Sequence, residues 1–209
     1  MKLYDYKMAP NCRRVRFFAA EKGVPLDCVD VDLMTREQLG DAYVAVNERR
    51  TVPLLELDDG TRLTESVAIC RYLEETTPEP ALFGTGALGK AQVEMWHRRV
   101  ELEGLMAVAE ALRNTSEGFR DRAIPGPQNF PQIPELAERG QRRLDAFYAM
   151  LDERLGESRY LAGEDFSIAD ILGVVTVDFA KAVKRRIPEE AANLARWHAE
   201  VSGRPAAKA

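Results

Sequence analysis

Apolar and polar positions in the first 76 residues follow the two-residue period of strands and the longer period of helices in turn. Their order predicts strand, helix, strand, helix, strand, strand and helix. The predicted elements lie at residues 2–6, 11–22, 26–31, 36–46, 51–57, 61–64 and 65–75. Asn11 stands where the N-cap of the first helix is expected, and Asp59-Gly60 marks the hairpin turn. The order βαβαββα predicts an α/β domain.

Beyond this domain the chain shows no strand pattern. Prolines and glycines crowd the stretch after Thr77 and predict a connector. We therefore predict a first domain of residues 1–78, a linker of residues 79–88 and an all-helical domain of residues 89–209.

The second domain repeats apolar residues at helical spacing. Helices are predicted over residues 88–112, 137–155, 171–180 and 189–201. Four prolines between residues 125 and 134 predict an extended loop between the first two of these helices. Ser167 and Asp170 form a capping-box pattern, which we interpret as a device for starting the third helix and not as part of a functional site.

Composition and charge narrow the class of protein. Hydrophobic residues make up 45% of the 209 residues and charged residues 30%, which suits a globular fold with a sizeable core. The net charge of -5 argues against a nucleic-acid partner. No apolar run approaches the roughly 20 residues that span a bilayer, and no signal-peptide pattern follows Met1. We expect a cytoplasmic protein without a membrane partner.

Cys12, Cys28 and Cys70 form no closely spaced pair, and only His97 and His198 offer further soft ligands. This spacing predicts free thiols and no metal site.

Two short motifs in this framework resemble those of the cytosolic glutathione S-transferase family. Thr51-Val52-Pro53 opens a predicted strand, and Glu65-Ser66 opens the last helix of the first domain. Because a helical second domain follows, nearly the whole chain is similar to that family. The resemblance implies a thioredoxin-like N-terminal domain, an all-helical C-terminal domain and glutathione as the co-substrate.

The resemblance also assigns residues to glutathione. In the family the proline is cis, and the residue before it offers its backbone N–H and C=O to the cysteinyl part; this assigns Thr51, Val52 and Pro53. Glu65 and Ser66 would hold the γ-glutamyl end, because a helix N-terminus offers unpaired N–H groups to a carboxylate and Glu65 can accept from the ammonium. Both residue types are also ordinary choices at a helix start.

The residue that stabilises the glutathione thiolate is expected after the first strand, where the family carries Ser, Tyr or Cys. Ala9 occupies that place here and can donate nothing. We therefore predict Asn11 as the catalytic residue, whose amide would donate to the sulfur as in the asparagine-containing bacterial classes that it resembles. Tyr6 is an alternative donor, and the interpretation of Asn11 as an N-cap alone carries equal weight.

The resemblance implies a homodimeric transferase whose bound thiolate attacks an electrophilic, hydrophobic substrate or a peroxide. Two alternatives stay open. Cys12 in a first helical turn, where a thiol pKa is lowered, would allow glutathione-dependent disulfide reduction. A chain with Ala9 could instead have kept glutathione binding without chemistry.

Further candidates rest on position alone. Gln38 resembles the residue that reaches the glycine carboxylate of glutathione, and Arg50 offers the same chemistry. Candidates for the second-substrate pocket follow helical spacing on the first long helix: Trp96, Arg99, Glu103 and Met106.

Overall fold

The computed structural model describes all 209 residues, which divide into two compact units. One unit comprises residues 1–80 and 124–129 with Ala209, and the other comprises residues 81–123 and 130–208. The first contains a small mixed sheet with helices, and the second is helical. The predicted fold class is therefore confirmed.

The first unit is built on a four-stranded sheet. Its strands are β1 (Lys2–Asp5), β2 (Asp27–Asp30), β3 (Leu54–Glu56) and β4 (Arg62–Thr64), and its helices are α1 (Pro10–Glu21), α2 (Asp41–Val44) and α3 (Ser66–Thr76). The strand order is β2-β1-β3-β4, with β1 parallel to β2 and antiparallel to β3. Leu3 of β1 and Leu55 of β3 lie opposite each other and are fully buried.

Helices α1 and α3 pack against each other through apolar faces. The buried side chains are Val15, Phe17, Phe18, Ile69 and Leu73. Lys22 follows α1, and its fully buried ammonium lies 2.5 Å from the Glu74 carboxylate of α3. It also donates to the carbonyls of Pro78 and Pro80, at 3.0 and 2.5 Å. A buried charge satisfied by three acceptors thus joins the C-terminal ends of the two helices.

Ala9, and not Asn11, is the N-cap of α1, which corrects the prediction. Ala9 has an extended backbone (φ −77°, ψ 127°), and Pro10 takes the first helical position. Proline suits that position because its φ is already helical and its missing N–H would have no partner there. Asn11 therefore lies within the first turn of α1.

The helix predicted over residues 36–46 is shorter and broken. Glu37–Leu39 form a 3₁₀ turn and Asp41–Val44 form α2. Gly40 separates them with an extended backbone (φ −74°, ψ 151°). The Asp32 carboxylate accepts from the N–H of Met34 at 2.8 Å, and the N–H of Asp32 donates to the Glu37 carboxylate at 2.8 Å. Such local side-chain bonds compete with helical ones.

The second unit contains five α-helices. They are α4 (Gly86–Arg99), α5 (Met106–Arg113), α6 (Pro134–Glu157), α7 (Ile168–Phe179) and α8 (Ala192–Ser202). Helix α4 begins inside the predicted linker, and α8 begins three residues later than predicted. The proline-rich stretch before Pro134 is non-helical, as predicted. No helix combines the length and the apolar character that crossing a bilayer requires.

The long helix predicted first in this unit is interrupted by a wide π turn, Val100–Leu105, between α4 and α5. Gly104 in this turn faces the Phe147 ring of α6, and a Cβ there would lie 2.5 Å from a ring atom. A Cβ on Gly140 of α6 would lie 2.7 Å from the carbonyl oxygen of Ala107. Two glycines therefore allow the close packing of α6 against the interrupted helix.

The capping box at the start of α7 is confirmed. The Ser167 hydroxyl accepts from the N–H of Ala169, and the Asp170 carboxylate accepts from the N–H of Ser167 at 3.0 Å. Asp170 also accepts from the Trp197 indole and from the N–H of Leu161, both at 2.9 Å. Burial raises the Asp170 pKa to about 6, and these donors oppose the rise.

Asp170 predicts a pH dependence of stability. Its pKa is raised in the folded state, so the folded chain binds more protons than the unfolded one between about pH 4 and 6. The stability that this titration contributes is present below pH 4 and lost as the pH rises through 6. Relative to Asp170→Asn, the wild type should lose roughly 3 kcal/mol of unfolding free energy across this window.

Urea unfolding of both proteins at several pH values measures this difference. The exposed Asp165→Asn serves as the control for the loss of a surface carboxylate. An offset of Asp170→Asn that does not change with pH would contradict the raised pKa.

Candidate functional site

One edge of the sheet gathers three segments of the first unit. Strand β3 runs antiparallel to both neighbours, and its first residue, Leu54, lies opposite Tyr4 of β1 and Thr64 of β4. The residues that follow β1 and β4 therefore emerge beside those that precede β3. These residues are Tyr6, Val52-Pro53 and Glu65-Ser66.

The Val52–Pro53 peptide bond is cis, as predicted. Val52 is half-buried and precedes β3, and no backbone group of the chain pairs with its N–H or its C=O. The carbonyl of Thr51 accepts two hydrogen bonds, from the Tyr43 hydroxyl and the Asn47 amide, both at 2.7 Å. Tyr43 and Asn47 were not among the predicted site residues, because no local pattern in the sequence connects them to Thr51.

Helix α3 begins at Ser66, directly after a residue in an uncommon conformation. Glu65 has φ 66° and ψ 113°, and a positive φ in a non-glycine residue is typical of functional turns. Ser66 is buried, with 6% of its surface exposed, whereas Glu65 is exposed. The first turn of α3 has neither an acidic side chain nor a side-chain cap. Its first N–H groups are therefore available to an external anion.

Asn11 lies beside the start of α3. The Ser66 hydroxyl oxygen is 3.5 Å from Oδ1 of Asn11, which brings the first turns of α1 and α3 together. With its oxygen towards Ser66, the Asn11 amide keeps its NH₂ group for another acceptor. Helix α1 also lacks an acidic first-turn residue and a side-chain cap. Two helix N-termini thus create positive potential at one place.

An ion pair supports the loop between β1 and α1. Arg16 donates to both carboxylate oxygens of Asp5, at 2.5 and 2.6 Å, and to the carbonyl of Lys7 at 3.0 Å. Asp5 ends β1 and Arg16 lies on α1, so this pair places Ala9 and Asn11 relative to the sheet.

Comparisons with known proteins show the family to which the chain belongs. Residues 3–81 match the family model for the glutathione S-transferase N-terminal domain, and residues 108–205 match that for the C-terminal domain. Glutathione S-transferase 2 of Saccharomyces cerevisiae is 34% identical over 213 residues, which cover 100% of this chain and 88% of the yeast protein. The chain belongs to the glutathione S-transferase family.

Solved structures of this family have the same fold as the chain. A glutathione S-transferase domain-containing protein from Marinobacter aquaeolei VT8 superposes with a TM-score of 0.91 at 33% identity, covering 99% of this chain and 100% of that one. Gtt2 from Saccharomyces cerevisiae superposes with a TM-score of 0.90 at 32% identity, covering 100% and 99%. A glutathione S-transferase of class Gtt2 from Vibrio parahaemolyticus is 39% identical and superposes with a TM-score of 0.85, covering 100% of this chain and 96% of that one.

Within this family member, Cys12 has the properties of a core residue. It is fully buried, and its sulfur accepts from the N–H of Tyr6 at 3.4 Å. Burial, with the nearby Asp5 carboxylate, raises the Cys12 pKa well above its ordinary value. The expected lowering of this pKa by the first helical turn is therefore wrong. A protonated, inaccessible thiol does not favour disulfide exchange.

The side chains of Gln38 and Arg50 form no hydrogen bond to the other predicted site residues. Gln38 lies in the 3₁₀ turn, and its buried Oε1 has no hydrogen-bond partner within the chain. Arg50 has a positive φ of 56°, and its buried Nε likewise has no partner. A contact of either side chain with glutathione stays a prediction.

The four second-substrate candidates divide between core and surface. Trp96 is 7% exposed, and the guanidinium groups of Arg99 and Arg154 lie 4.8 and 5.2 Å from its ring centroid. This stacking makes Trp96 a packing residue of the helical unit. Glu103 and Met106 are exposed.

Burial predicts which thiols of this glutathione S-transferase react. Cys28 is exposed, whereas Cys12 and Cys70 are buried. A chromogenic disulfide reagent at pH 8 should titrate one thiol per native chain and all three after denaturation. Cys28→Ser should abolish the native reaction, and Cys12→Ser should leave it unchanged. A second fast thiol in the native wild type would contradict the burial of Cys12.

Proposed function

We propose that this chain is a glutathione transferase that binds glutathione at the edge of its sheet and holds its thiolate for attack on an electrophilic small molecule. The observation that carries the proposal is the meeting of the uncapped first turn of α3 with Asn11 of α1, beside the cis-proline segment. The membership of the family supports it.

The site matches the charges of glutathione. The α-carboxylate of its γ-glutamyl end would bind the first N–H groups of α3 and the Ser66 hydroxyl. Glu65 is exposed beside them and would accept from the α-ammonium group. The unpaired N–H and C=O of Val52 would bind the cysteinyl part in the manner of a strand.

The thiol would then lie near the first turn of α1. Ala9 donates no side-chain hydrogen bond, so the donors at this place are the Asn11 amide and the helix N-terminus. A hydrogen bond to a charged group contributes about 1.5–3 kcal/mol, which corresponds to a pKa lower by roughly one to two units. A free thiol with a pKa of about 8.5 would then be substantially ionised at neutral pH.

Replacing Asn11 tests its assignment. Asn11→Ala should raise the pKa of the thiol of bound glutathione by about one unit or more. It should also lower kcat/KM about 10- to 100-fold with a chloronitrobenzene electrophile. The thiolate absorbance as a function of pH reports the pKa directly. Tyr6→Phe is the matched variant for the other candidate donor. If Tyr6→Phe loses the activity and Asn11→Ala keeps it, the assignment of Asn11 is wrong.

Calorimetry tests the binding step itself. Wild-type protein should release heat with glutathione at millimolar concentration or below, and Ser66→Ala should weaken the affinity about 10-fold because it removes a donor to a carboxylate. Ser202→Ala, in the helical unit, should bind like the wild type. Absence of any glutathione heat from the wild type refutes the proposed function.

A homodimer is the proposed assembly. Leu88 and Met95 lie seven residues apart on α4, and Leu102 follows at the same spacing in the π turn. They are exposed to 72%, 42% and 48%. Three exposed apolar side chains along one helix indicate a face that a second copy would cover.

The dimer can be tested by light scattering. The wild type should have about twice the chain mass of 23.4 kDa. Met95→Glu combined with Leu102→Glu should shift it towards the monomer, because charges would then face each other across the interface. Met34→Glu changes an 81% exposed side chain of the first unit and serves as the control. A double variant that stays dimeric places the interface elsewhere.

A further inference from the structure

We infer that Tyr43 and Asn47 are positioning residues for glutathione: together they clamp the Thr51 carbonyl and thereby aim and polarise the N–H of Val52. The inference rests on the proposed function, since it names the groups that prepare the glutathione-binding backbone. Their role is indirect, because both side chains act on the Thr51–Val52 peptide.

The geometry of a peptide group makes the clamp effective. The C=O of Thr51 and the N–H of Val52 belong to one planar peptide, which is trans because the cis bonds of the chain are Val52–Pro53 and Glu79–Pro80. In a trans peptide these two groups point in opposite directions. Two donors that hold the carbonyl oxygen on the inner side therefore turn the N–H of Val52 outwards, away from the chain.

Both donors are buried and well placed. Tyr43 is 5% exposed and Asn47 is 4% exposed, and each donates to the Thr51 oxygen at 2.7 Å. Burial raises the Tyr43 pKa to about 12, so its hydroxyl stays a donor throughout the physiological range. A carbonyl that accepts two hydrogen bonds away from bulk water is polarised, which makes the N–H of the same peptide a stronger donor.

The surrounding contacts hold the two donors in place. The Asn47 side-chain oxygen accepts from the N–H of Arg49 at 3.0 Å, which leaves its NH₂ group directed at Thr51. Arg62 of β4 donates to the carbonyls of Ala45 and Val46, at 3.2 and 3.1 Å. The segment that carries both donors is thus fastened to the sheet.

The ring of Tyr43 also packs edge-on against Tyr4 of β1, with centroids 6.0 Å apart. No hydrogen bond to the Tyr4 hydroxyl is formed within the chain, so Tyr4→Phe is a matched control for Tyr43→Phe. Each variant removes one hydroxyl from the same aromatic pair and keeps the ring.

The experiment compares three variants with the wild type by glutathione calorimetry and steady-state kinetics. Tyr43→Phe should raise Kd and KM for glutathione about three- to ten-fold, with little change in kcat or in KM for the electrophile. Asn47→Asp keeps the acceptor for Arg49 but sets a carboxylate oxygen against the Thr51 carbonyl, so its effect should be at least as large. Tyr4→Phe should match the wild type.

A second readout follows the backbone without ligand. The amide proton resonance of Val52 should move upfield in Tyr43→Phe relative to the wild type and to Tyr4→Phe, because the peptide is less polarised. A general loss of folded protein would lower apparent kcat and the melting temperature and would leave KM for glutathione unchanged. That result for Tyr43→Phe would contradict the clamp, which predicts a higher KM at nearly unchanged kcat.

The outcomes separate this inference from the proposed function. If the wild type binds glutathione and both Tyr43→Phe and Asn47→Asp bind it equally well, the clamp has no role and only this inference is overturned. If the wild type binds no glutathione, the proposed function fails and the inference fails with it.

Discussion

The antiparallel pairing of β3 between β1 and β4 is the constraint on which the site depends. Because Leu54 lies opposite both Tyr4 and Thr64, the start of one strand and the ends of two others share one edge. Loops at that edge come from distant parts of the sequence, yet the sheet holds them at fixed separation. The side chains of Leu3 and Leu55 in the core stabilise this register, since a shift by one residue would expose them.

Backbone N–H groups are the main hydrogen-bond donors at this edge. The first turns of α1 and α3 carry no acidic side chain and no side-chain cap, although capping would stabilise each helix by about 1 kcal/mol. Leaving both starts uncapped keeps N–H groups and positive potential for a ligand. The unusual backbone of Glu65 fits the same pattern, in which local stability is lower at the proposed binding site.

Buried polar groups hold this arrangement in place. The Asp5–Arg16 pair fastens the loop before α1, and Lys22 joins the ends of α1 and α3 through Glu74. In the helical unit, Asp170 connects α7 and α8 through the Trp197 indole. Lys22 and Asp170 are each matched by three partner residues, and removing a partner of a buried charge costs several kcal/mol. Such groups favour one packing of the elements over its alternatives.

The resemblance to the family predicted the cis Val52–Pro53 bond. The sequence by itself determined the element order of the first domain, the Glu65-Ser66 helix start and the capping box at Ser167. Those features depend on residues close together in the chain, where periodicity and cap chemistry act locally. Tertiary structure alone decided that Cys12 is buried with a raised pKa and that Tyr43 and Asn47 meet the Thr51 carbonyl. Burial and long-range hydrogen bonds depend on how elements pack, which no local pattern contains.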